Sequence, residues 1–161
     1  MERNRIIPSS LDIRSIQKDY AKAVLPCCDD QQCKLILNNL QGYVILKGDT
    51  ALTNCKMCDC IVFKVNGLIT IGIIELKSKT VHASEVKEKL VNGTKFASSI
   101  LQKYRVNHLA HKYYPILLHK GLDPISIRMI YKKRISVAGK KLPIYVKRCG
   151  TYFSSIIEET I

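Results

Sequence analysis

The stretch from Asp59 to Lys77, DCIVFKVNGLITIGIIELK, contains the residues of this chain best suited to bind a metal ion and stabilise charge. It ends with Glu75, Leu76 and Lys77. Because successive side chains of a strand alternate between faces, Glu75 and Lys77 project from the same side. An acid and an amine then stand side by side, and a second acid, Asp59, lies upstream. Two carboxylates of this kind can share one divalent cation.

The strands that would position these groups are two runs rich in Ile, Val and Phe, joined at Asn66-Gly67. This pattern predicts an antiparallel hairpin. If Asn66 and Gly67 alone form the loop, Asp59 lies opposite Ile74, on the face away from Glu75. With one extra loop residue, Asp59 lies directly opposite Glu75.

We predict the second register, in which Val65 faces Ile69, with a bulge at or near residues 66 to 68 or an equivalent irregularity beside Asp59. Directly opposed residues have Cβ atoms about 5 Å apart. Asp59 and Glu75 would then be close enough to bind the same cation. A regular two-residue hairpin would place the acids on opposite faces and argue strongly against this site.

The charge of the chain is unusual for a globular protein. Its 161 residues include 26 Lys and Arg against 13 Asp and Glu, a net charge of +13. Such an excess is typical of proteins with a polyanionic partner, although a basic globular protein without one is the simpler alternative. No run approaches the roughly 18 apolar residues of a membrane span, and the N-terminus lacks a signal-peptide pattern. We therefore expect an intracellular protein that does not enter a membrane.

The remaining patterns predict an α/β fold in a single domain of residues 1–161. Helical spacing predicts a first helix over about residues 10–24 and a shorter one from Asp29-Asp30 to Gly42. Tyr43 to Leu46 is a strand pattern, residues 84–104 form a long helical pattern, and Tyr113 to His119 returns as a strand. A helix between two strands is the crossover unit of an α/β sheet.

The segment from Lys120 to Arg148 has nine basic residues and one acidic residue. We predict two strands here, Ile125 to Val137 and Leu142 to Val146, forming a basic C-terminal hairpin in an extension of about residues 121–161. Such a ribbon could follow phosphates, or it could be a solvated edge protected by lysines. The predicted nucleic-acid-binding residues are Lys79, Arg128, Lys132, Lys133, Arg134, Lys140, Lys141, Lys147 and Arg148.

Seven cysteines are many for this length. Cys55 and Cys58 have the spacing of a zinc or iron–sulfur site, which Cys27, Cys28 or Cys33 could complete. The alternatives are buried thiols or disulfides, which we consider the better interpretation because a second Cys-x-x-Cys is missing. Strand alternation predicts Cys58 and Cys60 on the face opposite Asp59.

The order of elements and the motif resemble the PD-(D/E)xK nuclease superfamily, which includes restriction endonucleases and archaeal Holliday-junction resolvases. The resemblance covers about residues 10–120. It depends on Asp59, Glu75 and Lys77, and on the segment KEKLVNGTKFA in the following helix. One position departs from the motif, because Cys58 stands where its name has proline.

The resemblance implies a restriction-endonuclease-like αβββαβ core with a central mixed sheet. It implies a homodimeric DNA endonuclease in which Asp59 and Glu75 bind Mg²⁺ or Mn²⁺ and Lys77 orients the attacking water or stabilises charge. Many members add an acid from the first helix, for which Asp12 and Asp19 are both candidates. The alternatives are a nucleic-acid-binding protein without catalysis, with Cys55 and Cys58 holding a structural metal, and an enzyme that acts on RNA.

Overall fold

The structure is a computed structural model that describes residues 11–30, 32–38, 42–48, 55–66, 68–77, 81–106, 111–137 and 139–159. Its α-helices within these ranges are α1 (Ile13–Asp19), α2 (Ala83–Lys103), α3 (Pro124–Tyr131) and α4 (Phe153–Glu158), with a 3₁₀ turn at Ala21–Ala23. Its strands are β1 (Val24–Leu25), β2 (Cys28–Asp29), β3 (Lys34–Leu35), β4 (Tyr43–Lys47), β5 (Cys60–Asn66), β6 (Leu68–Lys77), β7 (His111–His119), β8 (Arg134–Val137), β9 (Lys140–Pro143) and β10 (Tyr145–Arg148).

A six-stranded mixed sheet in the order β1-β4-β5-β6-β7-β10 forms the centre of the fold. Strands β1, β4, β5 and β6 pair antiparallel, whereas β6, β7 and β10 run parallel to one another. Parallel neighbours need a crossover connection, which α2 provides between β6 and β7. The predicted α/β class and central mixed sheet agree with the structure, whereas the three short strands β1, β2 and β3 between α1 and β4 were not predicted.

Both faces of the sheet are covered, which explains why β5 and β6 are apolar almost throughout. Odd-numbered residues such as Phe63 and Ile73 pack toward Leu90 of α2, in a core that includes residues of α1 and α3. Even-numbered residues such as Val62 and Ile74 pack in a second core that includes residues of β2, β3 and α4. The face on which a side chain lies therefore follows from the parity of its number in these strands.

The predicted helix from Asp29-Asp30 to Gly42 is wrong over its described residues, which form the β2–β3 hairpin. Asp30 accepts hydrogen bonds from the backbone N–H groups of Gln32 and Cys33, at 2.9 and 2.7 Å. Aspartate can close a turn in this way as well as cap a helix, so the residue type alone did not distinguish the two outcomes.

The predicted strand from Ile125 to Val137 is wrong in its first half. Asp123 caps α3 through a 2.8 Å bond from the Ser126 N–H, and Pro124 occupies the first turn. Proline at that position is favourable because its missing N–H would have no helical partner. Only the last four residues form a strand, β8, which pairs with β9. The predicted strand from Leu142 to Val146 is also wrong, because these residues are divided between β9 and β10, which lie in different sheets.

The C-terminal segment is also part of the central sheet, since β10 pairs parallel with β7. One part of the basic extension, β10, is therefore an edge strand of the central sheet. Within the described residues, none of the helices is long and apolar enough to cross a membrane.

Candidate active site

The hairpin register brings the two predicted acids together. Cys60 pairs with Ile74 and Val65 with Ile69, which is the predicted register, and Asp59, just before the first of these pairs, is hydrogen-bonded to Glu75. The Asp59 N–H donates to the Ile74 carbonyl at 2.9 Å, and the Leu76 N–H donates to Asp59 Oδ2 at 2.7 Å. The predicted register is confirmed, while Gly67, within the predicted bulge, lies outside the described residues.

Glu75 is buried, with 1% of its surface exposed. Among the described residues, its Oε2 atom has no hydrogen-bond partner, and the nearest recorded cation is the Lys89 ammonium at 3.6 Å. Burial, followed by the hydrogen bond and charge of Asp59, raises the pKa of Glu75 to about 9. A buried carboxylate beside a second acid is costly, so this position holds a proton unless a further positive charge is supplied.

Lys89, in the second turn of α2, contacts Glu75 but was not predicted as a site residue. It also lies 3.6 Å from Glu85, one helical turn earlier. Burial by itself would lower the pKa of Lys89, but Glu75 and its other neighbours raise it overall, so the ammonium stays charged. The sequence signal was its position beside Leu90 on the buried stripe of α2, where a lysine is unusual.

Lys77 lies two residues after Glu75 on the same face of β6 and is half-buried. Its charge and that of Lys89 both lower the pKa of Glu75, opposing the larger effect of burial. In the sheet, Lys77 pairs with His119 on β7, and His119 pairs with Arg148 on β10. A row of three nitrogen-bearing side chains thus runs beside the acid pair, at the carboxyl ends of the parallel strands.

Close packing of α2 fixes the chain just before β5. Asn92 donates from its side-chain amide to the Lys56 carbonyl at 2.7 Å. A Cβ atom at Gly93 would lie 2.5 Å from Cys58 Sγ and 2.7 Å from an Ile73 methyl, so only glycine permits this approach. The helix that carries Lys89 is therefore held tightly against the segment that carries Asp59.

The prediction that Cys58 lies on the face opposite Asp59 is wrong. Cys58 packs in the core on the α2 side, whereas Cys60 packs in the other core. Residue 58 precedes the first strand residue, Cys60, so strict alternation does not apply to it. Burial, together with the charges of Glu75 and Asp59, raises the pKa of the Cys58 thiol well above its ordinary value.

The other cysteines are arranged mainly as disulfides. Cys28 is bonded to Cys60, and Cys33 to Cys149. Cys55 is an exposed thiol and Cys27 is a partly buried one. Two of the three residues that could complete a cluster with Cys55 and Cys58 are thus in disulfides, and no group of three or more metal-ligating side chains occurs among the described residues.

Neither first-helix acid lies at the pair. Asp12 caps α1 by accepting from the Arg14 N–H at 2.9 Å. Asp19 accepts from the hydroxyl of Tyr104 and from Lys103, 3.3 Å away, at the last turn of α2. Lys103 follows Lys89 by 14 positions along the helix, which corresponds to a rise of about 21 Å.

The predicted nucleic-acid-binding residues are spread over three elements. Arg128 lies on α3, Arg134, Lys140 and Lys141 on the β8–β9 hairpin, and Lys147 and Arg148 on β10, while Lys132 and Lys133 connect α3 to β8. Lys147 forms a 2.7 Å ion pair with Glu159. Arg148 and Lys77 both pair with His119, so the three residues lie in one row across the sheet. Lys79 lies outside the described residues.

No protein-family model, curated protein or solved structure matches this chain at a significant level. The chemistry open to the site follows from its own residues. Two adjacent carboxyl groups, one with a buried oxygen that has no hydrogen-bond partner within the described part of the chain, are flanked by two ammonium groups at the carboxyl end of β6.

Proposed function

We propose that this protein is a Mg²⁺- or Mn²⁺-dependent endonuclease of the PD-(D/E)xK type that hydrolyses phosphodiester bonds in DNA. The observation that carries the proposal is the hydrogen-bonded contact between Asp59 and buried Glu75, whose Oε2 atom has no hydrogen-bond partner among the described residues. Perturbed acids of this kind are concentrated at functional sites. The order of elements around them is the one that the motif family would require.

The residues present fit a divalent cation. Magnesium and manganese prefer carboxylate oxygens, and one such oxygen here is buried, adjacent to a second acid and without a hydrogen-bond partner among the described residues. A bound cation would polarise a phosphate and lower the pKa of a coordinated water. Because neither Asp12 nor Asp19 joins the pair, we propose a single metal ion held by Asp59 and Glu75.

The side chains of the site have separate roles in this proposal. Asp59 is held in place by the Leu76 N–H, which donates to its Oδ2 atom, and its hydrogen bond with Glu75 would be replaced by a metal ion that the two acids share. Lys77 stabilises the negative charge that develops on the phosphate or orients the attacking water. Lys89 is a positioning residue, since its charge favours the ionised form of Glu75.

DNA as substrate and a homodimeric assembly belong to the same proposal. The net charge of +13 supports a polyanionic substrate. Cutting both strands of a duplex usually takes two active sites in the family that the motif resembles, which favours a dimer.

The test is cleavage of duplex, branched and single-stranded DNA, with RNA in parallel, in Mg²⁺ or Mn²⁺. We expect metal-dependent cleavage of DNA that falls by at least about 100-fold in Asp59→Asn and in Lys77→Met. Glu88→Gln is the matched control, because Glu88 is an exposed acid on α2 one residue before Lys89. Its activity should stay within about twofold of wild type.

Two outcomes would contradict the proposal. Cleavage that survives in Asp59→Asn would place the reaction elsewhere or identify a contaminant. Salt-sensitive DNA binding without cleavage of any substrate would instead support a nucleic-acid-binding protein that keeps this fold.

A further inference from the structure

A cavity of about 400 Å³ lies at the carboxyl ends of β7 and β10, and one of its lining residues, His119, pairs with Lys77 of β6 in the sheet. His119 and Arg148 line one side, while Leu122, Ile127 and Tyr131 contribute an apolar and aromatic side. Its volume is within the range of small-ligand pockets. One ligand with an anionic group and a flat apolar group would match both sides.

His119 is a buried hydrogen-bond donor in this cavity. It is 6% exposed, and its Nδ1 atom accepts from the Leu122 N–H at 3.0 Å. Burial and the nearby charge of Arg148 lower the pKa of His119, so its ring is neutral near pH 7. A neutral ring that accepts at Nδ1 carries its proton on Nε2, which can donate to a ligand oxygen.

Arg148 supplies the positive charge. One of its terminal nitrogens donates to the Lys120 carbonyl at 3.0 Å, which orients the guanidinium and leaves further N–H groups for a ligand. Planar guanidinium groups bind phosphate oxygens by paired hydrogen bonds. Tyr131, which is 49% exposed, offers a ring face for stacking.

The cavity is aligned with the acid pair by the sheet. Lys77, His119 and Arg148 occupy paired positions on β6, β7 and β10. Neighbouring strands are about 4.8 Å apart, so the backbone of Arg148 lies about 10 Å from that of Lys77. A nucleic-acid strand with one phosphate at the acid pair could therefore place a neighbouring nucleotide in the cavity.

We propose that this cavity binds one nucleotide of the substrate strand next to the cleaved bond, with its phosphate on Arg148 and His119 and its base against Tyr131 and Ile127. The identity of the ligand rests on the proposed function. Arg148 and His119 would set the position of the strand, and Tyr131 would make binding tolerant of base identity, since every base has a stacking face.

The test is titration of full-length protein with deoxyadenosine 5′-monophosphate in EDTA, followed by calorimetry and by NMR shifts. Deoxyadenosine and inorganic phosphate are titrated separately. We expect the mononucleotide to bind at least 10-fold more tightly than either, with the largest shifts at Leu122, Tyr131 and Arg148. Equal affinity for deoxyadenosine or for phosphate, or shifts centred elsewhere, would overturn the proposal.

Substitutions separate the two sides of the cavity. Arg148→Ala should weaken the mononucleotide at least 10-fold, and Arg148→Lys should weaken it less, because the charge stays but the fork is lost. Tyr131→Leu should weaken it about 5-fold, within the range for a lost stacking contact. Lys112→Ala is the control, since this exposed residue lies seven positions from His119 on β7, about 23 Å away. Its affinity should match that of wild type, and an equal loss there would indicate only a general charge effect and overturn the proposal.

The two proposals fail separately. Because the titration is free of metal, the mononucleotide can bind whether or not the protein cleaves DNA. Cleavage without mononucleotide binding would overturn the cavity assignment alone, whereas binding without cleavage would overturn the nuclease and leave the nucleotide site.

Discussion

The two ends of α2 carry the same kind of contact between a lysine and an acid in different surroundings. Near its beginning, Lys89 lies 3.6 Å from Glu75, and near its end, Lys103 lies 3.3 Å from Asp19. The first carboxylate side chain is 1% exposed and the second is 37% exposed. Distance alone would rank the second pair as the stronger.

The pKa values of the two acids move in opposite directions. The hydroxyl of Tyr104 and the ammonium of Lys103 lower the pKa of Asp19, so it is an ordinary ionised surface acid. Burial and Asp59 raise the pKa of Glu75 to about 9 despite Lys89. Burial and a second acid, rather than the contact with a lysine, therefore distinguish the candidate site from the surface pair.

Activity should show the largest contrast between the two ends. Glu75→Gln should reduce metal-dependent DNA cleavage by at least about 1,000-fold, because a neutral amide oxygen lacks the negative charge with which a carboxylate binds Mg²⁺. Asp19→Asn should leave the rate within about twofold. The measurement is single-turnover cleavage of the preferred substrate. A large loss in Asp19→Asn would show that the first-helix acid belongs to the site after all.

Stability should show the next largest contrast, and with a defined pH dependence. In the folded protein Glu75 keeps a proton that the unfolded chain releases above its ordinary pKa of 4.5, so stability falls as pH rises from there toward about 9. Glu75→Gln removes this dependence and should stabilise the metal-free protein at pH 8 by about 1–3 kcal/mol, with little gain at pH 4.5.

Asp19→Asn should have the opposite effect on stability, a slight destabilisation at neutral pH. Urea unfolding in EDTA at several pH values measures both effects. A constant gain for Glu75→Gln across the pH range would contradict the raised pKa. Added Mg²⁺ should stabilise the wild type but not Glu75→Gln, because a ligand stabilises only the form that binds it.

Substitution of the two lysines should give the smallest difference in activity, although a measurable one. Lys89→Met keeps the packing of the side-chain stem but removes the charge that lowers the pKa of Glu75, so activity should fall about 10-fold at pH 7 and its acidic limb should move to higher pH. Lys103→Met should leave the pH profile unchanged. Equal profiles for the two variants would show that Lys89 is only a structural partner.

Local patterns predicted much of the sheet and the acid pair. Alternation, the turn signal at Asn66-Gly67 and a register argument together predicted that Val65 pairs with Ile69 and that Asp59 lies beside Glu75, and the structure agrees. This worked because a one-residue slip would reverse the face of every side chain in the strand, which leaves few alternatives. The same kind of reasoning failed where one residue type serves two structures, as with Asp30, which closes a turn, and Asp123, which caps a helix.

The sequence by itself determined the charge, the apolar strands and the spacing of Glu75 and Lys77, because these depend on residue type and strand geometry alone. Only the tertiary structure decided that Lys89 reaches Glu75, that Asp19 lies at the far end of α2, and that His119 and Arg148 share a cavity. These contacts join residues distant in sequence, and they depend on how helices pack on a sheet, which local periodicity does not specify.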